Sequence, residues 1–555
     1  MNSAIDITSE QRKTLVDLLR HYIPGVAVWA YGSRVKWTAR PNSDLDLVVF
    51  TAPAQNQLVS ELKNALAESE LPFLVDLHVW DEIPERFREI IRGEYVVIQK
   101  EMDEPISLFD LRIDGWDYTT LGEICAKGQG GVQTGPFGSQ LHASDYVAEG
   151  IPSIMPQNIG DNRIIRDGIA RITTEDAERL ERYRVRTGDI VYSRRGDVER
   201  RALVRSEEDG WLCGTGCLRV RFGSSDVDSA FASFYLGDPR VRSWIVRHAQ
   251  GATMPNLNTA ILSALPFVVP PIEEQRAIAQ ILSALDDKIE LDRKLNETLE
   301  AIARAIFKSW FVDFDPVRAK AEGREPDGMD AATAALFPCK FRDSELGEIP
   351  VGWKVKAIGD VSVSNRKSIG KDYAHPEIEY VDISSVEPGR ITSTSVYSLA
   401  EAPSRAKRLV RDGDTIWSCV RPNRRSYAII LEPTDNLVVS TGFVTLTATE
   451  VPFSFLYLSV TTSQFVEYLT LRADGAAYPA VRPDTFESAK VTIPAKSIAN
   501  RFHEIVEPIL RTIAANDRQA TTLADLRDTL LPRLIAGKLR VPEAEAMLTG
   551  GCHEV

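Results

Sequence analysis

The chain has 555 residues, 65 Lys and Arg against 79 Asp and Glu, a formal charge of −14 and 44% hydrophobic residues. At about 150 residues per domain this is a globular protein of roughly three or four units, each able to bury its own core. The charge excludes a uniformly basic nucleic-acid coat but leaves room for a basic patch on one domain.

Met1 to Arg12 carries no apolar stretch, and no apolar run approaches the roughly 18 residues of a spanning helix, so a cytoplasmic protein with no membrane partner is expected. The first 103 residues read as a small α/β unit. Its elements are a helix at Ser9–Tyr22, strands at Val26–Tyr31 and Asp46–Phe50, and a helix at Gln55–Glu68, followed by a strand at Leu74–Trp80, a helix at Pro84–Ile91 and a strand at Tyr95–Lys100. Tyr31-Gly32-Ser33-Arg34 ends one strand, and ten residues separate Ser33 from Asp44-Leu45-Asp46 at the start of the next. Alternation along a strand puts Asp44 and Asp46 on one face, and Asp76 lies on a strand that can run alongside. Three carboxylates beside a Gly-Ser turn, whose backbone N–H groups can face a triphosphate, suit metal-assisted phosphoryl or nucleotidyl transfer.

On Gly32, Ser33, Asp44, Asp46 and Asp76 this unit resembles the minimal nucleotidyltransferase domains, particularly the small antitoxin-type members. The resemblance implies nucleotide binding at Gly32, Ser33 and Arg34, Mg²⁺ binding and catalysis at Asp44, Asp46 and Asp76, and an NTP as cofactor. One departure is Trp37, where the family usually has Gly. The alternative is a domain kept for docking or regulation.

The remaining residues repeat once. Gly115-Trp116 and Leu121-Gly122-Glu123 return as Gly352-Trp353 and Ile358-Gly359-Asp360 at an offset of 237. Gly188-Asp189-Ile190-Val191-Tyr192-Ser193 returns as Gly413-Asp414-Thr415-Ile416-Trp417-Ser418, and Thr215-Gly216 as Thr441-Gly442. Gly251 to Pro255 returns as Gly475 to Pro479, and Phe267 to Pro270 as Val491 to Pro494, both at an offset of 224. Each half ends in a helical stripe of about 35 to 40 residues, hence roughly 55 to 60 Å. The first is carried by Ile278, Ile281, Leu285, Ile289, Leu295, Leu299, Ile302 and Ile306. The second runs from Ile498 to Leu534, and Pro508 predicts a kink or break in its first third. Two matched stripes are better explained as a paired spacer than as two separately docked helices.

Each half also holds one basic strand-turn-strand segment. Residues 182–205 contain eight Arg against three acids, and residues 404–425 contain seven Arg or Lys against two. Arg at a hairpin tip can reach phosphates or donate two hydrogen bonds to guanine. The candidates are Arg194, Arg195, Arg200 and Arg201 in the first half and Arg421, Arg424 and Arg425 in the second. The six Cys are scattered with no CxxC pair, which fits reduced structural thiols rather than a disulfide or zinc framework.

Residues 105–555 resemble the specificity subunit of type I restriction-modification systems. The resemblance rests on Gly135 to Leu141, Pro270-Pro271-Ile272-Glu273-Glu274-Gln275-Arg276-Ala277-Ile278, Phe307 to Phe314, Gly328-Met329-Asp330 through Pro338, and Gly347 to Trp353. It implies two target recognition domains, each reading half of a bipartite site in double-stranded DNA, and two antiparallel helices that act as a ruler and dock two methyltransferase subunits. A restriction and translocation subunit would join for cleavage, and this part would need no cofactor and catalyse nothing by itself. Accordingly, the chain contains no Gly-x4-Gly-Lys-Ser/Thr phosphate loop and no Asn-Pro-Pro-Tyr-type methyltransferase motif.

The expected fold is α/β multidomain, with a small nucleotidyltransferase-like α/β domain (1–103) ahead of two mixed α/β target recognition domains (104–270 and 346–494). Two long antiparallel helices (271–315 and 495–540), a linker (316–345) and a tail (541–555) complete it. The other functional reading makes the front domain primary: a Mg²⁺-dependent nucleotidyltransferase acting on a protein or RNA, with the repeat as its targeting device.

Overall fold

The computed structural model describes residues 5–23, 26–40, 43–50, 59, 62–63, 65–66, 69, 71, 73–80, 83, 87–88, 91, 95–99, 113–138, 140–250, 255–370, 372–475 and 479–550. Among them no helix is long and apolar enough to cross a membrane. The expected helices at 55–68 and 84–91 and the strand end at Lys100 fall largely outside these residues. So do parts of the repeated motifs, at Ser139, 251–254 and 476–478.

The front unit opens with α1 (Ser9–Tyr22), started by a capping box in which the Thr8 hydroxyl accepts from the Gln11 amide and the Gln11 side chain accepts in return. A four-stranded sheet follows, built from β1 (Val28–Tyr31), β2 (Leu45–Val49), β3 (Val75–Val79) and β4 (Val96–Gln99) in the order β3-β2-β1-β4. β1 is antiparallel to β2 and β4, while β2 and β3 are parallel. Alternation splits the side chains as the period of two requires. Val28, Ala30, Leu45, Leu47 and Val49 join Leu15 and Leu19 of α1 in one core, leaving Trp29, Tyr31 and Val48 for the other face.

By internal contacts the chain divides into two compact units, residues 1–287 with 524–555 and residues 288–523. Each contains one copy of the repeat, and the two copies share one topology. In the first unit an antiparallel sheet runs Gly131–Thr134, Cys217–Arg221, Ile190–Ser193, Arg201–Leu203. In the second the matching order is Ser362–Ser364, Phe443–Ala448, Thr415–Ser418, Tyr427–Ile429. A second sheet pairs Leu212–Cys213 in parallel with Ile151–Ile154 in one copy and Leu437–Ser440 in parallel with Glu377–Val381 in the other. The ends of each copy close as a two-stranded ribbon, Asp117–Thr120 with Pro266–Val269 and Lys354–Ala357 with Lys490–Ile493.

The expected stripes are helices of 40 residues each, Ile272–Phe311 and Lys496–Ile535. In the second unit they run antiparallel: Asn296 donates to the Ile513 carbonyl (3.2 Å) and Asp517 Oδ1 (2.8 Å), while Phe307 packs on Phe502 at 5.8 Å. The break expected as one outcome at Pro508 is corrected, because the helix runs continuously through it. Pro508 lies on the solvent side, where the carbonyl freed of its usual N–H partner can meet water, and Val506 and Leu510 bury the helix on either side.

The predicted stripe holds at Ile278, Ile281 and Leu285, which are buried, and the buried face departs from it further along. Leu291, Leu295 and Ile302 are 60%, 42% and 43% exposed, whereas Asp292, Asn296 and Ala303 are buried. The segment 316–345, expected as linker, holds helices Asp315–Ala321 and Ala331–Leu336 and the strand Phe341–Ser344, anchored by buried Val317 and Phe337. The tail carries a helix, Val541–Gly550.

Candidate functional sites

Strand register assembles the front site. Tyr31 pairs with Asp46 across β1 and β2, and Asp46 pairs with Asp76 across β2 and β3, so the three form a lateral row. Asp44 is exposed one residue before β2. Burial raises the Asp46 pKa, and the Asp76 and Asp44 carboxylates raise it further. Burial, and then the Asp46 and Asp76 carboxylates, push the Tyr31 phenol up to about 12. His78, two residues along β3, sets its Nε2 3.2 Å from Asp76 Oδ2. Gly32 sits against this row with φ +81°, and a Cβ there would lie 2.3 Å from Asp46 Oδ2, so the turn needs glycine on two counts. Ser33 follows, its carbonyl accepting the Thr38 amide at 3.0 Å.

Arg34 departs from its expected place at a nucleotide. It is buried, donating from Nε and Nη2 to the Ser43 carbonyl (3.0 and 2.7 Å) and from Nη1 to the Asp6 carbonyl (2.9 Å), with its guanidinium 3.8 Å from the Phe73 ring. It ties the 32–43 loop to the chain start, so a fold role replaces the ligand role. Trp37 has φ +56° and is 55% exposed, a left-handed conformation that favours glycine.

Among the described residues no three His, Cys, Asp or Glu side chains converge tightly enough to hold an ion as they stand. The donor set nevertheless suits one. Asp44, Asp46 and Asp76 are oxygen donors in mutual repulsion, and Asp46 carries the raised pKa that a neighbouring cation would reverse.

The two basic segments form hairpins at the same framework position. In the first, the Arg194 amide donates to the Gly216 carbonyl and the Gly196 amide to Pro255. In the second, the Cys419 amide donates to Gly442 and the Arg421 amide to Pro479. Cys419, Val420 and Arg421 therefore stand where Arg194, Arg195 and Gly196 stand, so the hairpins match while their arginines do not. Arg195 and Arg200 are exposed, and Arg200 pairs with Asp197. Arg194 is half-buried, 5.4 Å from the exposed Phe137 ring, and its Nε has no hydrogen-bond partner. Arg424 and Arg425 are exposed, and Arg421 and Arg425 adopt left-handed φ of +48° and +57° on either side of a short turn at Pro422–Arg424.

Arg201 is a correction to the expected DNA contacts. It is 5% exposed, its Nε donates to the Ser233 carbonyl at 2.8 Å, and Nη1 lies 3.5 Å from Asp161. A guanidinium so enclosed serves the fold. Two sites were not singled out from the sequence. One is His78 beside Asp76, which the alternation that grouped Asp44 with Asp46 could have found. The other is a cleft of about 540 Å³ in the second unit, shared by Arg405, Arg421, Arg424 and Asp382.

Residues 113–301 match the family described as the type I restriction modification DNA specificity domain, and residues 13–103 match that described as polymerase beta, nucleotidyltransferase. The type I restriction enzyme HindI specificity subunit of Haemophilus influenzae is 26% identical over 452 residues, covering 70% of this chain and 95% of that protein. The probable protein adenylyltransferase MntA of the same organism is 44% identical over 108 residues, 19% of this chain and 95% of that protein. A crystal structure of the type I restriction-modification S subunit from M. genitalium aligns over 77% of this chain and 98% of its own at 14% identity, with a TM-score of 0.46.

Proposed function

The chain belongs to the type I restriction-modification specificity subunits, with a polymerase-β-type nucleotidyltransferase domain related to MntA fused at its front, and we propose that it selects the DNA site for a multisubunit methyltransferase and restriction complex. Each repeat reads half of a bipartite duplex site. The observation that carries this reading is the pair of same-topology units, each projecting an arginine-bearing hairpin from one framework position. Exposed Arg195, Arg200, Arg424 and Arg425, with Arg194 and Arg421 beside them, supply phosphate contacts and base readout. The methyltransferase subunits dock on the helix pair, and a restriction and translocation subunit joins them. Leu291, Leu295 and Ile302 fall on one helical face in solvent, an apolar row suited to such a partner.

Methylation-sensitive sequencing of host DNA with and without the gene tests this reading. A bipartite modified site that disappears with the gene is the expected result, and an unchanged methylome sinks it. Arg195→Ala should alter modification at one half-site only; equal loss on unrelated sequences would make Arg195 a phosphate anchor.

The front domain is read as an accessory nucleotidyltransferase, with adenylyl transfer to a protein as the transfer suggested by its relative. Asp44, Asp46 and Asp76 would hold Mg²⁺, which when bound supplies charge neutralisation at the phosphates. The Gly32-Ser33 turn would present backbone N–H groups to the triphosphate, and the row of acids would orient the nucleotide. Labelled nucleotide transfer by the purified full chain, lost in Asp44→Ala with Asp46→Ala, is expected; no labelled product from any NTP with Mg²⁺ or Mn²⁺ would leave only a docking role.

A further inference from the structure

The cleft in the second unit holds an acid where a DNA-reading surface would be expected to hold none. Arg405, Arg421 and Arg424 share it with Asp382, yet Asp382 makes no ion pair within 4 Å among the described residues. Its hydrogen bonds come from Ser384 Oγ (2.8 Å), the Ser385 amide (2.9 Å) and Ser385 Oγ (3.0 Å), all to Oδ1. These bonds engage one carboxylate oxygen of a residue that lines the cleft. Burial alone would raise its pKa, and the bonds from Ser384 and Ser385 more than offset that, so it stays ionised.

The repeat shows that the fold does not require this acid. Asp382 directly follows the strand Glu377–Val381, and its counterpart after Ile151–Ile154 is Met155. The next residues correspond as well: a Cβ on Gly442 would meet Ile383, and one on Gly216 would meet Pro156. In the first copy the corner closes without an acid at this position, the Met155 amide donating to Asn158 Oδ1 at 3.1 Å. A turn cap would need only one oxygen of Asp382. A carboxylate without a direct ion pair that faces a polyanion is unfavourable unless it meets a donor on the nucleic acid, and the donors in the major groove are the exocyclic amino groups of cytosine and adenine.

We propose that Asp382 is a base-reading residue of the second repeat, its Oδ2 accepting from cytosine N4 or adenine N6 while Arg405, Arg421 and Arg424 hold flanking phosphates. This rests on the DNA-recognition reading above. Guanine O6 and thymine O4 would set an acceptor against the carboxylate and be rejected.

Selection of bound sequences from a pool of randomised duplexes by the full-length chain tests it. The wild type is expected to select a bipartite motif with one position in one half restricted to C or to A, and which of the two appears identifies the amino group. Asp382→Ala should reduce the preference at that position alone, by about tenfold or more, and leave the other half unchanged. Asp382→Asn keeps the bonds on Oδ1 and serves if the Ala variant does not fold; its amide can also donate, so G or T should enter at the same position. An unchanged motif with uniformly altered affinity in both variants overturns the proposal. A wild-type chain that selects no bipartite motif overturns the DNA-recognition reading itself, which is a different result.

Discussion

Asp46 illustrates how a side chain's role is set by its neighbours in the sheet. Its folded pKa is raised, by burial first and then by Asp76 and Asp44. A raised acid pKa means that its favourable contribution is complete below the unfolded value and is lost as pH rises through the folded one. Ionised Asp46 therefore opposes folding of the front unit at neutral pH. Asp46→Asn should raise the thermal midpoint at pH 7, with the gain vanishing below about pH 4; an equal shift at both pH values would show that the effect is not ionisation. Trp37 is the second residue-scale case. A left-handed conformation costs an L residue roughly 1–2 kcal/mol, part of which glycine's extra unfolded-state freedom offsets, so Trp37→Gly should stabilise the front unit by about 1 kcal/mol in urea unfolding. The spacing of Gly32 and Ser33 ahead of Asp44 and Asp46 was legible because it is local, whereas the place of Asp76 beside Asp46 needed the pairing of β2 with β3. The burial of Arg34 and Arg201 was not legible, because their partners Asp6, Phe73, Ser233 and Asp161 arrive from elsewhere in the chain.

At the scale of elements, the start of the first long helix is clamped to its own repeat. Gln275 is fully buried: its Nε2 donates to the carbonyls of Pro270 (2.8 Å) and Asp226 (3.0 Å), and its Oε1 accepts the Asp228 amide (2.9 Å). Glu274 accepts from Trp116 Nε1 at 3.0 Å. Glu274 and Gln275 thus hold the helix to its domain, and buried Ala499 occupies the place of Gln275 in the second copy. Gln275→Ala should cost about 2–4 kcal/mol by orphaning these groups, seen as a lower urea midpoint and faster amide exchange at the helix start; no change would show that water replaces the side chain. The helix pattern explains why the predicted stripe holds to Leu285 and departs at Leu295 and Ile302. Leu295 and Ile302 fit a heptad as well as Asn296 and Ala303 do, and period alone cannot rank two adjacent faces. Packing chose the face where Asn296 meets Asn516 and Asp517 across the pair, a polar contact that ties helix register to specific partners.

For the whole molecule, the row left exposed by that choice carries a prediction. Replacing Leu291, Leu295 and Ile302 together by Gln should leave thermal unfolding unchanged, since none is buried, while reducing recovery of methyltransferase subunits with the tagged chain about tenfold. Undiminished recovery would move the docking surface elsewhere. The sequence by itself determined the duplication, with its offsets of 237 and 224 realised as matching ribbons at Asp117–Thr120 with Lys354–Ala357 and at Pro266–Val269 with Lys490–Ile493. It also determined the α/β character of the front unit and the two long helices, because glycine turns, strand alternation and helical period are written in short-range order. Only the tertiary structure decided which arginines remain exposed, which side of each helix is buried and that Asp382 lines an arginine cleft. Those outcomes depend on groups brought together from distant parts of the chain, whose burial and hydrogen bonding no local pattern encodes.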